Sequence, residues 1–365
     1  MIASHGRNLY IDNVKAILIF LVVFGHFIEM NIRNDIALKS IWIFIYFFHM
    51  PMFALVSGMF SKTSLNEKQS TQLLRKIVIP LFAFQLLYEG LEILTTGRPS
   101  IYFEQFAPYW ILWYLFSLLC WRLMLPVFAR LRFPLTTAIA ISIFLSYSDN
   151  TGYFLSISRT LTFFPFFLLG WKVGNGFLAT SGKKSRILSA AILVVAITGS
   201  AISNDWDYRW LYGSYSLATL HMANLNGAIY QLALYGVSAL IGIAFLNVIT
   251  RKDIGIARFG RNSMVIYLWH GFVVIALSKT GATDWIFGMG SLPALLILSA
   301  ISVAIMITAS FPAWISLTDK WIVHPFERLF VKQALRPGAG EVAQPDPSRR
   351  ETTGMRRETT GPDAS

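Results

Sequence analysis

The sequence predicts an all-α polytopic integral membrane protein, with about ten transmembrane helices and both termini in the cytoplasm. Three observations predict it. Of 365 residues, 55% are hydrophobic and only 14% charged, a balance foreign to soluble domains. Apolar runs of membrane-spanning length recur along the chain. The basic residues fall between those runs, alternating in density from one connection to the next. The formal charge of +12 would fit a nucleic-acid partner. Here the cations flank apolar spans, so topology explains them and no nucleic-acid partner is expected. The lone Cys120 lies inside an apolar run, which excludes an intramolecular disulfide.

The apolar runs fall near 13–30, 41–60, 77–95, 109–129, 134–149, 160–176, 187–204, 227–248, 262–279 and 292–317. The fifth and sixth are short and aromatic. The first is followed by no small-residue cleavage site and reads as a retained helix rather than a signal peptide. Cation-rich connections carry Lys62, Lys68, Arg75 and Lys76; Arg130 and Arg132; Lys183, Lys184 and Arg186; and Arg251, Lys252, Arg258 and Arg261. Poorer ones carry Arg33 and Lys39, then Arg98, Arg159, Arg209 and Lys279. Ten spans with both ends inside satisfy the positive-inside rule at every connection. The connection 205–226 gathers Trp206, Tyr208, Trp210, Tyr212 and Tyr215 with Asp205, Asp207 and His221. It suits either sugar stacking or an interfacial aromatic belt. Residues 319–335 read as a short amphipathic segment on the cytoplasmic surface, closing a membrane domain over 1–330. The tail 336–365 is polar, repeats RRETTG at 349–354 and 356–361, and is expected to be disordered.

The candidate site is organised around the first run, DNVKAILIFLVVFGH. Lys15 and His26 are eleven residues apart, three helical turns plus a small remainder. Both therefore lie on one face, about 16 Å apart along the axis. Asp12 and Glu29 fall close to the same stripe. Ionisable groups in a bilayer are costly and usually face a bundle interior or a water-filled cavity. An imidazole titrates near neutrality and can take a proton from a hydroxyl and return it to a leaving group. His26 is thus the leading catalytic candidate, against the alternative of a buried structural histidine. Lys15 can meet an anionic phosphate, or simply snorkel to the interface. Asp12 is placed to hold it.

His49 lies mid-span in FFHMPMFALVSG, beside Pro51, where the backbone is expected to be irregular. Ser57 and Gly58 follow two turns later, where a ligand can approach the backbone closely. His270, in GRNSMVIYLWH, is again mid-depth. Arg75 and Lys76 can bind phosphates or mark topology. Asn262 and Ser263 suit a helix N-terminus that favours anions. The sequence holds no nucleotide loop, CxxC, HExxH or GxSxG, and no metal site is expected.

These segments in this order resemble the membrane-bound acyltransferase 3 family, in particular its branch of fucose 4-O-acetylase-like enzymes. The resemblance runs from about Asn8 to about Phe330. It rests on a basic residue, ten positions and a histidine (Lys15 to His26), on FHMPMFALVSG at 48–58, and on WYL at 113–115 with WRLMLP at 121–126. FFPFFLLGW at 163–171 and GRNSMVIYLWH at 260–270 complete it. The resemblance implies acetyl transfer from cytoplasmic acetyl-CoA to a glycan hydroxyl, with His26 as the catalytic histidine and Lys15 assisting at the CoA phosphates. Many relatives carry two arginines three apart after the second helix; here Gln72 stands where the first would be, and only Arg75 is carried over.

The sequence therefore leads to an O-acetyltransferase of a bacterial inner membrane, acting on a cell-surface, exopolysaccharide or lipid-linked glycan, with polysaccharide-assembly proteins as possible partners. Catalytic candidates are His26, Asp12, His49 and His270; Lys15, Arg75 and Ser57 are candidates for holding acetyl-CoA. The competing class is a glycan transporter using its membrane histidines as a proton relay. A scaffold would leave the ionisable stripe unexplained.

Overall fold

The computed structural model describes residues 8–148, 154–174, 182–203 and 205–331, and among these the regular structure is entirely helical. The expected disordered tail lies outside the described residues, as does the end of the amphipathic segment.

The first helix, Leu9–Glu29, opens on Asn8, whose side chain accepts from the Tyr10 amide at 3.1 Å. The second, Ile36–Met59, opens on Asp35, which accepts from the Leu38 amide at 3.0 Å. Such caps satisfy amides that the helix itself leaves unpaired. These two helices form the centre of the bundle. Their apolar windows are 72% and 67% buried, against 11% for the peripheral helix Lys183–Ile202. Polar groups on the central pair are the ones shielded from lipid.

Backbone-to-backbone packing holds the centre. A methyl at Gly58 would meet the Phe167 carbonyl oxygen at 1.9 Å, and one at Gly170 would meet that of Leu55 at 1.9 Å. The second helix and Ile157–Val173 therefore touch through reciprocal glycines, a contact that small residues permit in membranes, where apolar burial alone gives little preference between neighbours. The second helix is unbroken through Pro51. That corrects the irregular backbone expected near His49: the surrounding helices hold the segment helical despite the missing donor.

Among the described residues, eight helices are long and apolar enough to cross a membrane: Leu9–Glu29, Ile36–Met59, Glu67–Thr96, Trp110–Phe128, Phe154–Val173, Lys183–Ile202, Leu225–Val248 and Ser291–Ala309. A ninth candidate is Ser263–Lys279, bent by 72° against the short helix Ala282–Gly288. The bend falls at Gly281, whose φ of 74° ends a right-handed helix. The remaining expected span, 134–149, is the helix Pro134–Ser146, too short to cross on its own. The third helix starts ten residues before its apolar run, capped by Asn66, which accepts from the Gln69 amide. It passes through a π turn at Leu74–Val78, just before Pro80. Proline has no amide to continue the ladder, and the wider turn absorbs that loss. A second π turn, Asp319–Val323, precedes Pro325 in the same way.

Candidate active site

Lys15, Ile19, Val22 and His26 line one cavity of about 520 Å³. Their spacing of four, three and four residues is one face of a helix, so the stripe on the first helix is a wall of this cavity. Met50, Phe53, Ser57 and Phe60 of the second helix form another wall, and Ile111, Trp113, Tyr114, Leu118 and Arg122 a third. Met264 and Tyr267 close the remaining side.

The two ends of the cavity differ in chemistry. At the His26 end, one turn beyond Val22, the edge of Trp110 meets the imidazole at 4.9 Å. The helix that begins at Trp110 runs back from there, so Arg122 lies about 18 Å further along, towards Lys15. Lys62, Lys68 and Lys76 join them, with Asn66, Gln69, Gln72 and Ser61 between. Five cations thus line the cavity, and no carboxylate does among the described residues. The ninth helix starts at Ser263, also on the wall, which brings the positive end of its dipole to the same region. Such an arrangement attracts a polyanion at one end and an apolar or uncharged chain along the rest.

His26 is held by a carboxylate. Its Nδ1 lies 3.2 Å from Glu29 Oε2, one turn on. The carboxylate also accepts from the Tyr46 hydroxyl at 2.8 Å and from the Tyr212 hydroxyl at 2.6 Å. With Nδ1–H donated to Glu29, the neutral ring carries its lone pair on Nε2. The imidazole is 15% exposed and lines the cavity. That is the arrangement of an oriented general base.

The other expected residues separate. His270 stacks behind His26, with centroids 5.5 Å apart and planes at 22°. Its Nδ1 donates to the Tyr267 carbonyl at 2.7 Å, and its Nε2 is buried without a hydrogen-bond partner. His49 is buried, donates to the Ile45 carbonyl of its own helix at 2.9 Å, and packs against Tyr46 at 4.5 Å. Neither His49 nor His270 lines the cavity. Asp12 is also buried and off the wall; its backbone carbonyl is covered by Gly260, where a methyl would sit 1.8 Å from the oxygen. The glycine of GRNSMVIYLWH therefore permits the short helix Ala257–Arg261 to pack on the first helix.

Ser57 does line the cavity, about one turn before Phe60 on the second helix. Its hydroxyl meets the Tyr114 hydroxyl at 2.8 Å, and Tyr114 donates to the Phe53 carbonyl at 3.1 Å. Lys15 is at the cationic end, with its ammonium 5.3 Å from the centre of the Phe60 ring. Arg75 points elsewhere: it forms an ion pair with Glu327 and is absent from the wall, whereas its neighbour Lys76 is on it.

Sequence reasoning missed several members of the site. Tyr114 and Arg122 sit inside motifs already noticed, four and twelve residues after Trp110, and the longer spacing would have placed Arg122 about 18 Å from the ring that meets His26. Tyr46 is three residues before His49 on the central helix. Tyr212 carried no such signal. The aromatic connection that supplies it packs inward: Trp206 stacks on Phe47 at 5.4 Å, and Tyr208 accepts from Arg33 at 3.2 Å.

A bundle of membrane-length helices around a cavity with a cationic end and a histidine–carboxylate end defines a multi-pass membrane protein with a shielded polar site. The chain belongs to the acyltransferase 3 family, whose acyltransferase domain matches residues 8–311. Among curated proteins it is similar to the Nodulation protein NolL of Mesorhizobium japonicum, with 28% identity over 186 residues, 46% of this chain and 48% of the relative. It is similar also to the Nodulation protein NolL of Sinorhizobium fredii, with 28% identity over 184 residues, 46% and 49% of the two chains. The chain spans about half the length of the curated relatives it matches. No solved structure matches it at a significant level.

Proposed function

We propose that this protein is an O-acetyltransferase of a bacterial inner membrane, moving acetyl from cytoplasmic acetyl-CoA to a sugar hydroxyl of a cell-surface, exopolysaccharide or lipid-linked glycan. The observation that carries the reading is that Lys15 and His26 stand on one wall of a single cavity, about 16 Å apart along the helix. That offset is comparable to the reach of an extended phosphopantetheine arm. The phosphates of the donor would meet Lys15, Lys62, Lys68, Lys76 and Arg122, and the arm would run past the Ser57–Tyr114 hydroxyls. Its thioester would then lie beside His26.

In the reaction, His26 Nε2 takes the proton of the acceptor hydroxyl as its oxygen attacks the thioester carbonyl carbon. The C–S bond breaks, and the thiolate receives the proton back from His26. Glu29 keeps the ring in the required tautomer and stabilises the imidazolium formed on the way. His270 supports the ring from behind. The reading puts the cationic end on the cytoplasmic side, as the positive-inside rule requires of it.

The transporter alternative is weakened by the hydrogen bonds of His49 and His270. Each donates to a carbonyl of its own helix, so the histidines do not form a hydrogen-bonded chain of the kind a proton relay uses. The relatives' names make nodulation-related glycans acceptors to try beside exopolysaccharide. The test is thiol release by the purified protein in lipid nanodiscs. Saturable release from acetyl-CoA that requires a glycan acceptor supports acetyl transfer; glycan movement across proteoliposomes without thiol release would replace it with transport.

A further inference from the structure

The Glu29 carboxylate accepts hydrogen bonds from three separate parts of the chain: His26 on its own helix, Tyr46 on the second helix, and Tyr212 in the connection before Leu225–Val248. Among the described residues, Tyr212 is the donor to Oε1, while His26 and Tyr46 share Oε2. Tyr212 is fixed in place from several sides. Its ring lies 5.2 Å from Trp42, its neighbour Tyr208 is tied to Arg33, and the turn Tyr208–Tyr212 opens on Asp207, clamped to Arg209 at 2.8 Å. The Arg209 guanidinium holds the Asp207 carboxyl below the usual carboxylate range, so that clamp persists through the neutral region.

A carboxylate is a strong acceptor, half-buried as Glu29 is, and each further donor reduces what it offers the others. Two tyrosine hydroxyls compete with the imidazole N–H for the Glu29 oxygens and temper the pull of the carboxylate on it. The geometry points to Tyr212 as a positioning residue: through Oε1 of Glu29, the aromatic connection sets how tightly the His26–Glu29 pair holds a proton. Other titratable or charged groups near the pair and Tyr212 are His270, stacked on His26, His49, packed on Tyr46, Tyr208 and Tyr215, next to Tyr212 at 6.3 and 6.1 Å, and Arg33 and Arg209, which meet Tyr208 and Tyr215. The consequence for catalysis rests on the acetyltransferase reading; the hydrogen-bond role does not.

The test uses the full-length protein in nanodiscs and follows carbethoxylation of His26 by diethyl pyrocarbonate against pH, read by mass spectrometry of the His26 peptide. Tyr212→Phe keeps the ring and removes the donor. It is expected to raise the midpoint of His26 reactivity by about 0.5–1 pH unit, because the pair then binds its proton more tightly. Tyr208→Phe, which disturbs the same connection without touching Glu29, is expected to leave the midpoint in place. Should Tyr212→Phe not accumulate, 3-fluorotyrosine at this position keeps the packing, strengthens the donor and is expected to lower the midpoint. An unmoved midpoint with either replacement at 212, or an equal shift with Tyr208→Phe, would overturn the proposal. A shifted midpoint in a protein that transfers no acetyl would leave Tyr212 in this role and remove the acetyltransferase reading.

Discussion

His26 lines the cavity, while Glu29, one turn further along the same helix, holds its Nδ1 at 3.2 Å from outside the wall. The carboxylate can therefore orient the base without meeting the reactants. Replacing Glu29 by Gln removes the charge but keeps the size. The expected outcome is a fall in kcat of about 10²-fold with KM for acetyl-CoA nearly unchanged. Steady-state thiol release checks this, and a wild-type kcat would exclude Glu29 from the mechanism.

The cationic end should act on binding rather than on chemistry. Lys15→Ala, Lys76→Ala and Arg122→Ala are each expected to raise KM for acetyl-CoA about tenfold, with smaller effects on kcat. A donor lacking the ribose phosphate should bind more weakly to the wild type and lose less on these substitutions. Equal KM values for both donors in every variant would mean that phosphates do not reach these residues.

Arg75 behaves differently. Its guanidinium pairs with Glu327, which is 9% exposed, and it does not line the cavity. Arg75→Ala leaves that carboxylate to His324, at 3.4 Å, so the expected effect is lower thermal stability in detergent with little change in KM for acetyl-CoA. Exchanging the two charges should recover part of the stability. A tenfold rise in KM for Arg75→Ala at wild-type stability would return Arg75 to phosphate binding.

How much of this was legible in the sequence depends on distance along the chain. The Lys15–His26 wall follows from helical period alone, because both residues lie on one rigid element. The Arg75–Glu327 pair joins positions 252 residues apart, and nothing local marks it. A basic residue at a membrane boundary reads the same whether it faces a phosphate or a carboxylate. The π turn before Pro80 further decides which of Arg75 and Lys76 turns inward. Tyr212 was hidden for a related reason: an aromatic-rich connection looks alike whether its rings face lipid, sugar or the bundle. Hydropathy found the membrane-length helices among the described residues but misjudged ends, since Glu67–Leu73 extends the third helix through polar residues and Gly281 bends the ninth.

The glycine contact at the centre gives a prediction about folding. Gly58→Ala and Gly170→Ala each place a methyl less than 2 Å from a carbonyl oxygen of the facing helix, which only separation of the helices relieves. Both variants are expected to accumulate poorly and to melt lower in detergent. Ala at Gly199, where a methyl meets nothing within 4 Å, should be silent. Wild-type melting for Gly58→Ala would contradict the backbone-to-backbone packing.

The most direct test of the central claim is glycan-bound acetate in cells lacking this protein, complemented with the wild type or with His26→Ala at equal membrane level. The account predicts that acetate is lost in the deletion, restored by the wild type, and not restored by His26→Ala. Restoration by a well-expressed His26→Ala protein would contradict it.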